Sequence, residues 1–315
     1  MREMPQLPVL GGCARRAPHL LGVILALALG LAGPGCRIKR KVSVEVPARV
    51  LAAREAGFDR LVDIVNGYGT IPDLANARMK VTLTYGRWES GEQEEYKRAP
   101  GYLLVRPPDR LRLVVQNPIT KTAIFDVLSV GDDFSAWVPG KLRFYRGKNS
   151  ADSLVLEELP GGIPLRAPHL YEALVPAGID LAAPGMKVGL EEAADREAKY
   201  YILSSCREGA GARIHCLRRI WIERSQLAVA RQQIYREDGR LLSDIEYLGM
   251  EPIDGVYLPG EIRLTRPEDG YAVKLEFERE SWRVGRGLKD EAFVLSPPPE
   301  AEIVNLTNTD KEQRF

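Results

Sequence analysis

Histidine, cysteine and aromatic residues are scarce in this chain: 3 His, 4 Cys and 7% Phe, Trp and Tyr among 315 residues. So few imidazoles and thiols leave little material for a zinc site or for His-based acid–base chemistry. The usual catalytic fingerprints are also missing: no Gly-x-Ser-x-Gly elbow, no His-Glu-x-x-His, no P-loop and no Gly-x-Gly-x-x-Gly. His169 and His215 read as packed or surface histidines, and Glu157-Glu158 and Glu191-Glu192 as solvated charge. Charge of one sign is lacking too, since 44 Lys and Arg nearly cancel 43 Asp and Glu. That balance gives no argument for nucleic acid. The expectation is a binding protein rather than an enzyme, with no cofactor and no metal.

Long apolar runs are absent except for one, Leu20 to Ala32, which follows Arg15 and Arg16 and runs into Gly33-Pro34-Gly35-Cys36. It is shorter than the roughly 20 apolar residues of a spanning helix and has the length of a signal-peptide core. Small residues before a cysteine resemble a bacterial lipobox, with its usual leucine displaced to Leu31. The expected organisation is a signal peptide over 1–35, lipidation at Cys36, and a basic tether over 36–49 carrying Arg37, Lys39, Arg40 and Lys41. The rest would then work outside the cytoplasm, anchored to a membrane. An uncleaved anchor and a soluble periplasmic product are the alternatives.

Cysteine usage fits an oxidising compartment. Removal of the leader and acylation of Cys36 leave Cys206 and Cys216, symmetric about Gly211 in a glycine-bearing turn between two strand-like runs. On a hairpin they would face each other within reach of a disulfide; two free thiols are the alternative.

Strand periodicity dominates the chain beyond the tether, after one helix. Val50 to Asn66 has helical spacing, with Gly67 and Gly69 as its stop. From Ala77, Met79, Val81, Leu83 and Tyr85 alternate with polar residues, and further strand-like runs are divided by Pro107-Pro108-Asp109, Asn117-Pro118, Gly131-Asp132-Asp133 and Pro139-Gly140. A helical interruption covers about 150–176, with helices expected at Ser150 to Leu159 and Ala167 to Val175. Strands then resume, including Val256 to Thr265 and Ala292 to Leu295, and the tail over 297–315 reads as irregular and polar. Eleven or more antiparallel strands with few helices must close into a barrel, split into a sandwich, or cover a concave face with the helices.

Three segments carry a resemblance. Arg110-Leu-Arg-Leu-Val-Val-Gln-Asn-Pro-Ile-Thr120, with the strand after it, is similar to the strand–Asn-Pro-Leu-Gly–strand segment of LolB, the outer-membrane lipoprotein receptor. Gly161-Gly-Ile-Pro-Leu-Arg-Ala-Pro-His-Leu-Tyr-Glu-Ala-Leu-Val-Pro176 resembles that family's Met-Pro-Ile-Pro-Leu helix start. The hairpins ending in Ile253-Asp-Gly-Val-Tyr-Leu-Pro259 look like the wider LolA and LolB-like group. The resemblance covers about 50–296 and implies a mainly β fold, an antiparallel unclosed half-barrel with a helical lid.

It further implies a monomer that binds acyl chains of lipoproteins or lipids in an apolar cavity, takes them from a periplasmic LolA-like carrier, and passes them to the outer membrane. Asn117, Pro118 and Ile119 would form the membrane-insertion loop, Ile119 standing where the family has an exposed leucine and Thr120 where it has glycine. Candidate cavity residues are Leu83, Leu104, Leu113, Val115, Ile124, Trp137, Leu165, Leu170, Leu174 and Ile220. The alternative is a periplasmic lipid sensor or envelope scaffold, similar to RseB-like regulators.

Overall fold

The computed structural model describes residues 47–87, 92–149, 166–209, 211 and 213–306. The expected signal peptide, Cys36, most of the tether, the helix expected at 150–159, and Leu165 lie outside them. After α1 (Ala48–Leu51) and α2 (Phe58–Gly67) come six strands: β1 (Leu74–Arg87), β2 (Glu92–Arg106), β3 (Arg110–Gln116), β4 (Ala123–Val130), β5 (Asp133–Val138) and β6 (Arg143–Lys148). Then α3 (Ala167–Leu174) precedes β7 (Met186–Ala194), β8 (Lys199–Glu208), β9 (Ile214–Glu223), β10 (Ala228–Tyr235) and β11 (Leu241–Leu248). The chain continues through β12 (Glu251–Ile253), β13 (Val256–Leu258), β14 (Glu261–Arg266), β15 (Tyr271–Phe277), β16 (Trp282–Val284) and β17 (Glu302–Asn305).

One sheet runs in the order β17-β6-β5-β4-β3-β2-β1-β15-β14-β11-β10-β9-β8-β7, with β16 on β1 and β12–β13 as a separate hairpin. Short turns force antiparallel neighbours, and every pair is antiparallel except β17 with β6. The sheet is unclosed: β7 and β17 are its two edges.

Its curvature follows from what α3 touches. This helix has 8 residues, so it is about 12 Å long. It contacts both β4 and β14, which stand five strand steps apart and would be roughly 24 Å apart in a flat sheet. The sheet therefore curls around the helix. Irregularities of register in β1–β2 at Asn76/Met79 and Val81/Leu83 help the bend. At Gly101 the β2 and β3 backbones come so close that a Cβ would sit 2.4 Å from the Val114 carbonyl oxygen, which admits only glycine. The core lies on the concave side, where Leu61, Val62 and Val65 of α2 and Leu170 and Ala173 of α3 meet Leu83, Leu113, Val127, Ile220, Ile245, Leu264 and Val273.

Four elements differ from expectation. The helix expected over 50–66 is interrupted, because Arg54 N–H donates to the Arg224 carbonyl (3.0 Å) and Ala56 N–H to the Tyr201 hydroxyl (3.2 Å), so the stretch before Gly57 is held to the sheet. The strand expected over 256–265 is divided at Pro259-Gly260, where Gly260 N–H turns back to the Leu248 carbonyl. In place of a strand over 292–295 there is a 3₁₀ turn, Asp290–Phe293. Within the tail, β17 adds to β6 in parallel, with Ile303 opposite Phe144. A parallel partner so distant in sequence leaves no turn signal to read.

Cys206 and Cys216 pair across β8–β9 and are disulfide-bonded.

Candidate functional site

The β3–β4 turn is a closed, hydrogen-bonded loop. Asn117 N–H donates to the Thr122 carbonyl (2.8 Å), and Lys121 N–H to the Asn117 carbonyl (3.0 Å). The Asn117 side-chain oxygen accepts from Ile119 N–H (2.8 Å) and Thr120 N–H (3.1 Å), an Asx turn that explains why asparagine opens the loop. Thr120 and Thr122 hydroxyls bond each other at 2.8 Å, and Lys121 Nζ donates to the Pro118 carbonyl at 2.8 Å. The left-handed position is taken by Lys121 at φ 61°, one residue after the glycine position of the similar family. This frame leaves Ile119 88% exposed. A branched apolar side chain so far from the core contributes nothing to packing.

The expected cavity residues separate into two groups. Leu83, Leu113, Val115, Leu170, Leu174 and Ile220 are buried on the concave side, and Ile124 is half-buried against the core next to the register shift at Gln116. Leu104 and Trp137 belong to the opposite face. Leu104 pairs with Arg112, and Trp137 with Asp126, and those partners form an ion pair (2.7 Å) on the convex side. Their neighbours Leu103, Val105, Ala136 and Val138 take the inner positions. Register decides the face, and a one-residue error inverts it.

Beside the C-terminal end of α3, a void of only about 10 Å³ is lined by Leu174, Tyr68, Val229, Tyr247, Ile262 and Trp282, barely the space of one water. A cleft of about 280 Å³ opens where Ala177, Ile179 and Met186 meet Leu217 and Ile234. Two open clefts of about 550 and 570 Å³ have mixed polar and apolar walls.

Polar contacts that the sequence did not announce pin α3 and the segment after it to the sheet. His169 Nδ1 bonds the Tyr271 hydroxyl (2.6 Å), and Gln232 Nε2 donates to the Glu172 carbonyl (2.7 Å) and to the Tyr247 hydroxyl (3.0 Å). Asn66 exchanges two bonds with Ile179, and Arg218 donates to the Ala177 and Gly178 carbonyls (2.6 and 3.1 Å). Together these make a latch over a packed apolar interior.

Burial, with the Arg266 and Arg166 guanidiniums nearby, pushes the His169 imidazole down to about 3 against the pull of Asp269. The imidazole is therefore neutral in the fold. A free histidine takes up its proton near 6.5, so below that pH the unfolded chain binds a proton that the fold refuses, and stability falls as pH drops from 6.5 toward 3. This one group contributes a slope of at most about 1.4 kcal/mol per pH unit. Urea unfolding of His169→Phe beside the unaltered chain across that range is expected to show a stability difference that shifts in the variant's favour as pH falls. A difference independent of pH would rule out the neutral imidazole.

Among the described residues, no helix is long and apolar enough to cross a membrane. No family model matches the chain, and no curated protein matches it. Solved structures do. A DUF1329 family protein from Desulfovibrio piger ATCC 29098 aligns at 15% identity and TM-score 0.50, covering 75% of this chain and 95% of that one. A domain from Vibrio parahaemolyticus described as a candidate outer membrane lipoprotein-sorting protein domain aligns at 15% identity and TM-score 0.51, covering 74% and 94%. More loosely, the LolA superfamily protein NE2245 from Nitrosomonas europaea aligns at 14% identity and TM-score 0.47, covering 76% and 99%. At these identities the likeness is one of fold alone, that of a mainly β chain built on one large, unclosed antiparallel sheet.

Proposed function

We propose that this chain is a lipid-anchored envelope protein that accepts acyl chains of lipoproteins or lipids from a LolA-like carrier and passes them to the outer membrane, which it faces from the periplasm through a lipid on Cys36. Ile119 carries the reading: it is 88% exposed at the tip of a loop whose every turn is hydrogen-bonded. A rigid apolar tip costs the soluble fold solubility and returns nothing until it enters hydrocarbon.

Cargo entry beneath α3 lifts that helix. The void of about 10 Å³ beside it is far too small for an acyl chain, so entry there opens the His169–Tyr271 and Gln232–Glu172 bonds and lets the apolar side of α3 exchange sheet for hydrocarbon. The exchange replaces one apolar contact by another, which keeps its cost small. An acyl chain gains roughly 0.8 kcal/mol per buried CH₂, so hand-over to a tighter site runs downhill without a cofactor.

Mass spectrometry of the gently purified full chain tests this reading. A retained acyl ligand together with a lipid mass on Cys36 supports it. Stoichiometric capture of an envelope protein without lipid would replace it by an RseB-like sensor or scaffold, and an unmodified Cys36 would remove the anchor.

A further inference from the structure

The exposed isoleucine is not alone on its edge of the sheet. The pairings Gln116 with Ala123, Asp126 with Trp137 and Val138 with Arg143 put the β3–β4 and β5–β6 turns at the same end of neighbouring hairpins. Two strand spacings separate them, roughly 10 Å. The β5–β6 turn is a 3₁₀ turn, Pro139–Lys141, followed by Leu142. Leu142 is 51% exposed and sits at φ 52°, a left-handed conformation that favours glycine or asparagine over leucine. Its carbonyl accepts from Glu302 N–H (2.8 Å) and its N–H donates to the Pro139 carbonyl (3.0 Å), so the tip is held open to solvent. An apolar side chain kept exposed in a disfavoured backbone conformation has no reason within the fold.

The charge pattern selects the occupant. Residues 117–122 and 139–142 carry Lys121 and Lys141 and no carboxylate. Farther along the same edge, the turns 236–240 and 267–270 are ion-paired rather than basic: Arg236 and Arg240 neutralise Asp238 and Glu268, and Arg266 holds Asp269. Two apolar tips, each with a lysine, match the boundary of an anionic phospholipid bilayer, with hydrocarbon below and phosphate at the level of the ammonium groups.

We propose that the Lys141–Leu142 tip is a second bilayer contact beside Ile119–Lys121, so that the two hairpins dock this end of the sheet on anionic phospholipid. The proposal rests on the reading of Ile119 as a membrane-insertion residue. Leu142 enters the acyl boundary, and Lys121 and Lys141 meet phosphates. Two contacts also fix the angle of docking, which one loop cannot do. Ile214, 64% exposed on β9 several strands away from the two basic tips, is the comparison position, expected to remain in water.

The full chain carrying Cys13→Ser and Cys36→Ser is mixed with vesicles of phosphatidylethanolamine and phosphatidylglycerol. With Cys206 and Cys216 bonded, an environment-sensitive fluorophore goes to one added cysteine at a time: Ile119→Cys, Leu142→Cys or Ile214→Cys. Nitroxide-bearing lipid is expected to quench the first two by about threefold or more and the third hardly at all, as for side chains a few ångströms inside and outside the acyl boundary. Leu142→Asn, which suits the left-handed backbone, is expected to leave thermal unfolding in place and to lower the docked-to-free ratio reported from position 119 by roughly tenfold. Quenching at 119 with none at 142 would overturn the second contact and leave the proposed function standing. No quenching at either would remove both. Unchanged quenching when phosphatidylcholine replaces phosphatidylglycerol would overturn the role of the lysines.

Discussion

Ile119→Glu is expected to leave the fold intact while lowering transfer of an acylated cargo to acceptor vesicles by about tenfold to a hundredfold. Folding is spared because the side chain is 88% exposed and the loop is held by backbone groups and the Asn117 amide, none of which the substitution touches. Transfer suffers because burying an isoleucine is worth about 1.5 to 3 kcal/mol, which converts to that range of rate or affinity, and a carboxylate near phosphates adds repulsion. Ile119→Leu should transfer almost normally, since it keeps the apolar volume. Asn117→Ala should weaken transfer less than Ile119→Glu, by freeing the loop rather than removing its tip. The measurement is movement of a labelled lipoprotein from loaded protein to vesicles, beside a thermal unfolding curve for each variant. Normal transfer by folded Ile119→Glu would take this residue out of the mechanism.

What could be read from the sequence was local. Alternation along Met79 to Tyr85, the turn chemistry of Asn117-Pro118 and Pro139-Gly140, and the symmetric cysteines each depend on residues a few positions apart, and they pointed to antiparallel hairpins, while the unclosed, covered sheet followed from the family resemblance. Faces were harder. Leu104 and Trp137 sit in apolar surroundings in sequence, yet they share the convex side with the Arg112–Asp126 pair, because only the cross-strand register decides which of two alternating sets faces inward. The latch was illegible for the same reason: His169 and Tyr271, or Asn66 and Ile179, are more than a hundred residues apart and carry no local pattern. The left-handed Leu142 was likewise hidden, since Pro139-Gly140 signals a turn but not the conformation of the residue that leaves it.

Asp73→Ala is expected to cost about 3 to 5 kcal/mol, for a reason that lies in the chain after β16. The Asp73 carboxylate is 3% exposed and accepts N–H bonds from Arg286 (3.0 Å), Gly287 (2.9 Å) and Leu288 (3.1 Å), while its own carbonyl takes Gly285 N–H (2.9 Å). Removing one partner of a buried charged interaction costs about 3 to 5 kcal/mol, and here it leaves three donors facing a void. The clamp starts an arm that crosses the convex side: Asp290 binds Arg106 and Arg110, Arg112 donates to the Ala292 carbonyl, and the Arg106 guanidinium lies over the buried Phe293 ring. The arm ends as β17 on β6, where Glu302 N–H meets the Leu142 carbonyl. Losing the clamp should therefore show first as protease cleavage between 285 and 301 and only later as loss of the sheet, with Asp73→Asn in between because it retains one acceptor oxygen. Denaturant unfolding gives the total cost and limited proteolysis gives the order. Unfolding in one step, with no earlier cleavage of the arm, would mean that Asp73 stabilises the whole sheet rather than this strap. If the arm does release first, Leu142 loses the strand that holds its turn, and a substitution just ahead of β1 would weaken membrane docking at the far edge of the sheet.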